Sequence, residues 1–146
     1  MQELKNNIVL TKNATETKKF AANFAKNLNA GDILCLYGNL GSGKTTFVQG
    51  LAEEFGIKRR IISPTFIIVR SYKVNNMNFY HIDLYRVQSK QDLLGVGIDE
   101  ILKDEKNIVC IEWAEKLSDL IPQKRIDIRF KHLDNDKREI DIKRYE

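Results

Sequence analysis

The chain has 146 residues, 42% apolar and 30% charged, the proportions of a soluble globular protein, so a single domain over residues 1–146 with one core is expected. Its longest apolar runs are far too short to span a bilayer and no secretory leader is evident, so the expected setting is the cytoplasm. The 24 Lys and Arg against 20 Asp and Glu leave a formal charge of +4, which is compatible with a nucleic-acid partner without requiring one.

In chain order, Ile8-Val9-Leu10 predicts a short strand, and Asn13 with Glu16 resembles a capping box that opens a helix. In that helix Phe20, Phe24 and Leu28 fall on one stripe beside Ala21 and Ala25. Gly31-Asp32 turns the chain into Ile33–Tyr37, an apolar run that reads as a buried strand. Gly38-Asn39-Leu40-Gly41-Ser42-Gly43-Lys44-Thr45 follows and matches G-x-x-x-x-G-K-[ST]. From Thr46 to Phe55 the spacing of Phe47, Val48, Leu51 and Phe55 is helical, with Gly56 as a stop.

Ile61-Ile62-Ser63-Pro64-Thr65 then leads into an extended run from Phe66 to Val74. A turn at Asn75–Asn78 and a returning strand Phe79–Ile82 make this a β-hairpin, which a simple alternating α/β pattern would not contain. A helical stretch from Lys90 to Leu102 is interrupted by Gly95 and Gly97. Asn107–Glu112 is a second apolar strand, ending in a carboxylate. Arg125–Lys131 and Arg138–Arg144 alternate, with Ile126, Ile128 and Phe130 sharing one face, as do Ile140 and Ile142, and with Asn135-Asp136 at the turn. The expected fold is α/β: a mixed parallel and antiparallel sheet of the phosphate-binding-loop (P-loop) NTPase kind, flanked by helices.

The loop from Gly38 to Thr45 carries the chemistry. Its glycines allow consecutive backbone N–H groups to turn inward around phosphates, Lys44 reaches the β- and γ-phosphates, and the Thr45 hydroxyl stands where a Mg²⁺ ligand is needed. Strand, loop and helix in that order aim a helix N-terminus at an anion. Hydrolysis needs more: a carboxylate for the metal and a group that orients the nucleophile. Glu112 stands at a strand's end, where a Walker-B acid is expected, and Asp83 after Phe79–Ile82 is the other candidate. The hydroxyls of Ser63-Pro64-Thr65 either sense a γ-phosphate or simply form a turn. Trp113 either stacks on a base or partner, or anchors the core edge.

Other classes lack their signals. Cys35 and Cys110 lie in apolar runs and read as buried thiols, and His81 and His132 are too isolated to build a zinc site with them. There is no Asn-Lys-x-Asp for guanine, and Asp92-Leu93-Leu94-Gly95 has no apolar strand leading into it. No Leu-Ser-Gly-Gly-Gln signature of transporter ATPases occurs, nor an Arg-rich kinase lid. Basic stretches at Lys58-Arg59-Arg60 and between Lys124 and Arg144 are either a patch or a dispersed solvated surface.

Four segments in order, Leu36 to Phe47, Ser63-Pro64-Thr65-Phe66, His81-Ile82-Asp83-Leu84-Tyr85-Arg86 and Ile111-Glu112-Trp113, together with Gly97-Ile98-Asp99-Glu100, resemble the bacterial TsaE (YjeE) family from about Ala14 to Arg144. The resemblance implies a Mg²⁺-dependent ATPase needed to make threonylcarbamoyladenosine in tRNA. It would act with TsaD, which carries the transferase site, and TsaB, and ATP hydrolysis would reset that complex. tRNA would be met through the complex, with no DNA or membrane partner. By the same resemblance Gly38, Asn39, Leu40, Gly41, Ser42, Gly43, Lys44, Thr45 and Thr46 bind the nucleotide, and Thr45, Glu112 and Asp83 surround the metal. Lys44, Asp83, Glu112 and Thr65 serve catalysis, with Glu112 the first choice of second Mg²⁺ ligand. Trp113 and Arg86 shape the site or its partner surface, while Thr15 and Arg138 fall in regions near the adenine. Asn39 replaces an Asp common in relatives, at a position that contributes mainly backbone. Two rival readings stay open: a switch in which nucleotide occupancy alone is the signal, and a small-molecule P-loop kinase.

Overall fold

Strand pairing organises the chain. The structure, a computed structural model, describes residues 3–62 and 68–146, without the side chains of 3–6. Its strands are β1 (Glu3–Thr11), β2 (Ile33–Tyr37), β3 (Val69–Val74), β4 (Met77–Asp83), β5 (Asn107–Glu112), β6 (Arg125–His132) and β7 (Arg138–Tyr145). Among the described residues they form one seven-stranded sheet in the order β1-β7-β6-β2-β5-β4-β3. The central pairs β6–β2, β2–β5 and β5–β4 are parallel, while the outer pairs are antiparallel hairpins or edges.

Alternation along the strands divides the core into two layers. One face carries Leu34, Leu36, Phe79, Ile108, Cys110 and Ile128, covered by α1 (Ala14–Ala25) and α2 (Lys44–Glu54). The other carries Ile33, Cys35, Val109 and Ile111, packed with residues of α3 (Lys90–Gly95), α4 (Ile98–Lys103) and a 3₁₀ segment, Ala114–Leu120, that kinks at Ser118. Both cysteines are fully buried free thiols, and burial pushes Cys35 up to about 12. No helix among the described residues is long and apolar enough to cross a membrane.

Local signals account for the helix boundaries. The Glu16 N–H donates to Asn13 Oδ1 at 2.9 Å, capping α1, and Glu16 Oε1 accepts from the Lys12 N–H at 2.8 Å. Gly97, at φ +74°, separates α3 from α4, the interruption expected from the glycines. Phe47 on α2 meets Phe130 at 5.5 Å and Phe24 on α1 at 5.9 Å between ring centroids, which ties both helices to the sheet. Between the helices Gly50 permits an approach that no side chain would: a Cβ there would stand 2.5 Å from Lys18 O and 2.7 Å from Ala21 Cβ.

Two elements differ from their sequence reading. β1 is longer than Ile8–Leu10, because pairing from Glu3↔Tyr145 to Thr11↔Arg138 holds its backbone regardless of side-chain pattern. Ile8 and Leu10 are not core, being 61% and 67% exposed. The extended run expected from Phe66 enters the described structure at Ile68, whose φ of +72° bends the backbone, and β3 begins at Val69. Phe66 and Ile67, like Ser63-Pro64-Thr65, lie outside the described residues.

Candidate active site

β2 ends at Tyr37, and the loop that follows returns at Lys44 as the first residue of α2. Its closure depends on Gly38, at φ +149°, where a Cβ would meet Ser42 Oγ at 2.5 Å and Phe130 O at 2.9 Å. The Ser42 N–H donates to Asn39 O at 3.1 Å, and Gly43 caps α2 at φ +107°. The outcome is a tight loop against the N-terminus of an eleven-residue helix, the arrangement that binds phosphates through backbone N–H groups.

Lys44 is 5% exposed. Its Nζ donates to Gly38 O and lies 3.9 Å from the centroid of the Trp113 ring. Burial pushes its pKa down, and the nearby carboxylates of Glu112, Glu115 and Asp83 pull in the opposite direction. The ammonium is therefore under-solvated and poised to gain from an anion. Trp113 itself leaves β5 at φ +60° and packs against Tyr85, 5.2 Å between centroids.

The acids reach the loop through strand register. β4 and β5 pair in parallel with Asp83↔Glu112 and His81↔Cys110, so His81, Asp83 and Glu112 share the face that α2 covers, at the carboxyl ends of parallel strands. The Thr45 hydroxyl donates at 3.2 Å to the two oxygens of Glu112, a buried carboxylate, and His81 Nε2 lies 2.6 Å from Glu112 Oε2. Asp83 is buried, and its Oδ1 accepts the Tyr85 N–H at 2.9 Å.

A cleft of about 280 Å³ is lined by Leu40 to Thr46, Asp83, Glu112 and Arg138. A second hollow of about 300 Å³, bordered by Thr15, Thr17, Asp136 and Arg138, adjoins it through Gly43 and Thr46. Arg138 bridges the two, its Nη2 donating to Gly41 O at 3.1 Å. A larger cavity of about 430 Å³ lies beside Lys90 and Asp119. We place the site in the smaller cleft because the loop backbone, a buried ammonium and the paired carboxylates converge there. Mg²⁺ takes hard oxygen donors, few of them from protein, and Thr45 with Glu112 and Asp83 suits that demand. No group of three or more His, Cys, Asp and Glu that could hold a metal occurs among the described residues.

A family model described as "Threonylcarbamoyl adenosine biosynthesis protein TsaE" matches residues 11–140. The chain belongs to the TsaE family. It is 42% identical over 130 residues to the tRNA threonylcarbamoyladenosine biosynthesis protein TsaE of Rickettsia typhi, covering 88% of this chain and 89% of that one. To the Bacillus subtilis protein of the same name it is 39% identical over 130 residues, 89% of this chain and 80% of the relative. The crystal structure of Bacillus subtilis YdiB superposes with a TM-score of 0.84 at 33% identity, covering 100% of this chain and 89% of that chain. The mixed sheet with flanking helices is thus the fold of a TsaE-family protein.

In this TsaE-family chain the residues singled out from sequence fall into three groups. Leu40 to Thr46, Asp83, Glu112 and Arg138 share one cleft, and Thr15 lines the adjoining hollow. Gly38, Asn39 and Trp113 act from outside those walls, through the Gly38 carbonyl, the Asn39 carbonyl in the loop turn and the ring under Lys44. Thr65 lies outside the described residues. Sequence reasoning gave His81 no role. Its position two residues before Asp83 on a strand was the available signal, since such residues share a face.

Proposed function

We propose that this chain is a Mg²⁺-dependent ATPase of the tRNA threonylcarbamoyladenosine machinery, whose ATP hydrolysis resets a TsaB–TsaD transferase complex between turnovers. The observation that carries the reading is the Thr45 hydroxyl 3.2 Å from both oxygens of Glu112, beside the buried Lys44 ammonium. Membership of the TsaE family supports the pathway.

The loop N–H groups and the N-terminus of α2 bind the triphosphate. Lys44 exchanges the Gly38 carbonyl and the Trp113 ring for phosphate oxygens, which offsets the cost of its burial. Mg²⁺, when bound, would supply neutralisation of the phosphate charge. Thr45 and Glu112 would hold it in place of their mutual hydrogen bond. Asp83 ends the strand beside that of Glu112, is fixed by the N–H of Tyr85 two residues on, and orients the attacking water. Arg138 and Thr15 border the hollow that suits the adenosine half.

The test is phosphate release from Mg-ATP by the chain alone and with its TsaB–TsaD pair, for wild type and Glu112→Ala. Turnover that rises with the partners and collapses in the variant is expected. ATP-dependent assembly without Glu112-dependent turnover refutes the hydrolytic reading and makes nucleotide occupancy the signal. Phosphate appearing on an added metabolite identifies a kinase instead.

A further inference from the structure

The buried His81 ring reaches the site by a hydrogen bond from one of its nitrogens. His81 is 0% exposed, its Nε2 lies 2.6 Å from Glu112 Oε2, and its Nδ1 is buried with no hydrogen-bond partner among the described residues. A carboxylate oxygen can only accept here when ionised, so the proton of the short contact resides on Nε2. A proton on Nδ1 would instead bury an orphan donor and set two lone pairs facing each other at 2.6 Å. The arrangement therefore specifies the tautomer in which Nε2–H donates to Glu112 and Nδ1 is left bare in the core.

That hydrogen bond divides the two oxygens of Glu112. Oε2 is engaged by His81 and Thr45, whereas Oε1 has the Thr45 hydroxyl as its recorded partner. We propose that His81 is a positioning residue that commits Glu112 Oε2 to the protein, so that Glu112 offers a cation one oxygen rather than two. The inference rests on the reading of Glu112 as a metal ligand. A carboxylate restricted to one oxygen suits the octahedral demand of Mg²⁺ and disfavours Ca²⁺, which readily takes carboxylates in two-oxygen fashion and accepts higher coordination numbers. The strand register supports a fixed role: His81 sits opposite Cys110 and diagonal to Glu112, under α2, with no solvent to replace the bond.

The experiment has two arms on the full chain. In nucleotide-free wild type, long-range ¹H–¹⁵N spectra of the His81 ring report which nitrogen carries the proton. Nε2–H is expected, and Nδ1–H overturns the proposal. In the second arm, ATP affinity is measured in EDTA and across Mg²⁺ and Ca²⁺ titrations for wild type, His81→Phe, His81→Gln and Glu112→Ala. His81→Phe fills the space without a donor. It should bind ATP in EDTA as wild type does, yet require about 10–100-fold more Mg²⁺ and lose discrimination against Ca²⁺. His81→Gln keeps an N–H donor and should restore most of the Mg²⁺ dependence. An unchanged Mg²⁺ midpoint in His81→Phe, with Glu112→Ala shifted, sinks the positioning role alone. An unchanged midpoint in Glu112→Ala sinks the metal-ligand reading on which it rests. Should His81→Phe fail to fold, a His81→Gln protein that folds but needs as much added Mg²⁺ as Glu112→Ala overturns the proposal.

Discussion

Gly50→Ala sets two opposing effects against each other at the contact between α1 and α2, whose residues border the proposed nucleotide site. Alanine in place of glycine inside a helix gains about 1 kcal/mol of intrinsic propensity. The new Cβ, however, would stand 2.5 Å from Lys18 O, 2.7 Å from Ala21 Cβ and 2.9 Å from Lys18 Cα. Two of those atoms are backbone of α1, which cannot turn aside as a side-chain tip can. Overpacking typically costs about 1–3 kcal/mol, and a backbone clash belongs at the upper end, so a net loss of about 2 kcal/mol is expected. With an unfolding entropy of about 0.3 kcal/mol/K for a chain of 146 residues, that loss lowers Tm by about 7 °C. Calorimetry of the nucleotide-free protein measures it. Because α1 carries Thr15 and α2 carries Thr46 across the same hollow, separating the helices should also weaken ATP binding. A Tm at or above wild type would mean that propensity wins, and would refute the close α1–α2 approach.

Lys44→Met should raise the Tm of nucleotide-free protein at pH 7, because burial lowers the lysine's folded pKa: the charged form is disfavoured on folding, and that penalty persists below the folded pKa. ATP at about 100 times its Kd should then stabilise wild type by about 2.7 kcal/mol and leave Lys44→Met unmoved; equal stabilisation of both would contradict the assignment of Lys44. The Cys35 thiol, moved by burial from 9.0 to about 12, makes the folded chain hold a proton that the unfolded chain releases. Its contribution is present below pH 9.0 and declines as pH rises toward about 12, so chemical denaturation at pH 8 and pH 10 should show a smaller loss in Cys35→Ala than in wild type, the remainder coming in part from the likewise buried Cys110. Neither thiol should react with a disulfide reagent at pH 8 until denaturant is added, and rapid native labelling would contradict their burial. Arg138→Ala, which removes the donor to Gly41 O, should weaken ATP binding more than tenfold if Arg138 also contacts the nucleotide, and about threefold if it only braces the loop.

Much was legible locally. The strand Ile33–Tyr37, the loop to Thr45 and the helix after it follow from an apolar run, glycines at fixed spacing and helical periodicity, all short-range properties of the chain. The capping by Asn13, the break at Gly97 and the alternating strands near the C-terminus are of the same kind. What lay beyond the sequence depends on which strands become neighbours. The hydrogen bond from Thr45 to Glu112 spans 67 positions, and that between His81 and Glu112 spans 31. Both exist because β2, β5 and β4 lie side by side in a fixed register, which decides the face and depth of every residue at the strand ends. Sequence thus determined the type of chemistry, since a phosphate-binding loop is written in consecutive residues. The sequence singled out Glu112 and Asp83 as the candidate acids and Arg138 by resemblance, but only tertiary pairing showed that Glu112 meets Thr45, that a histidine holds it, and that Arg138 reaches the loop, because those contacts arise only when distant strand ends converge.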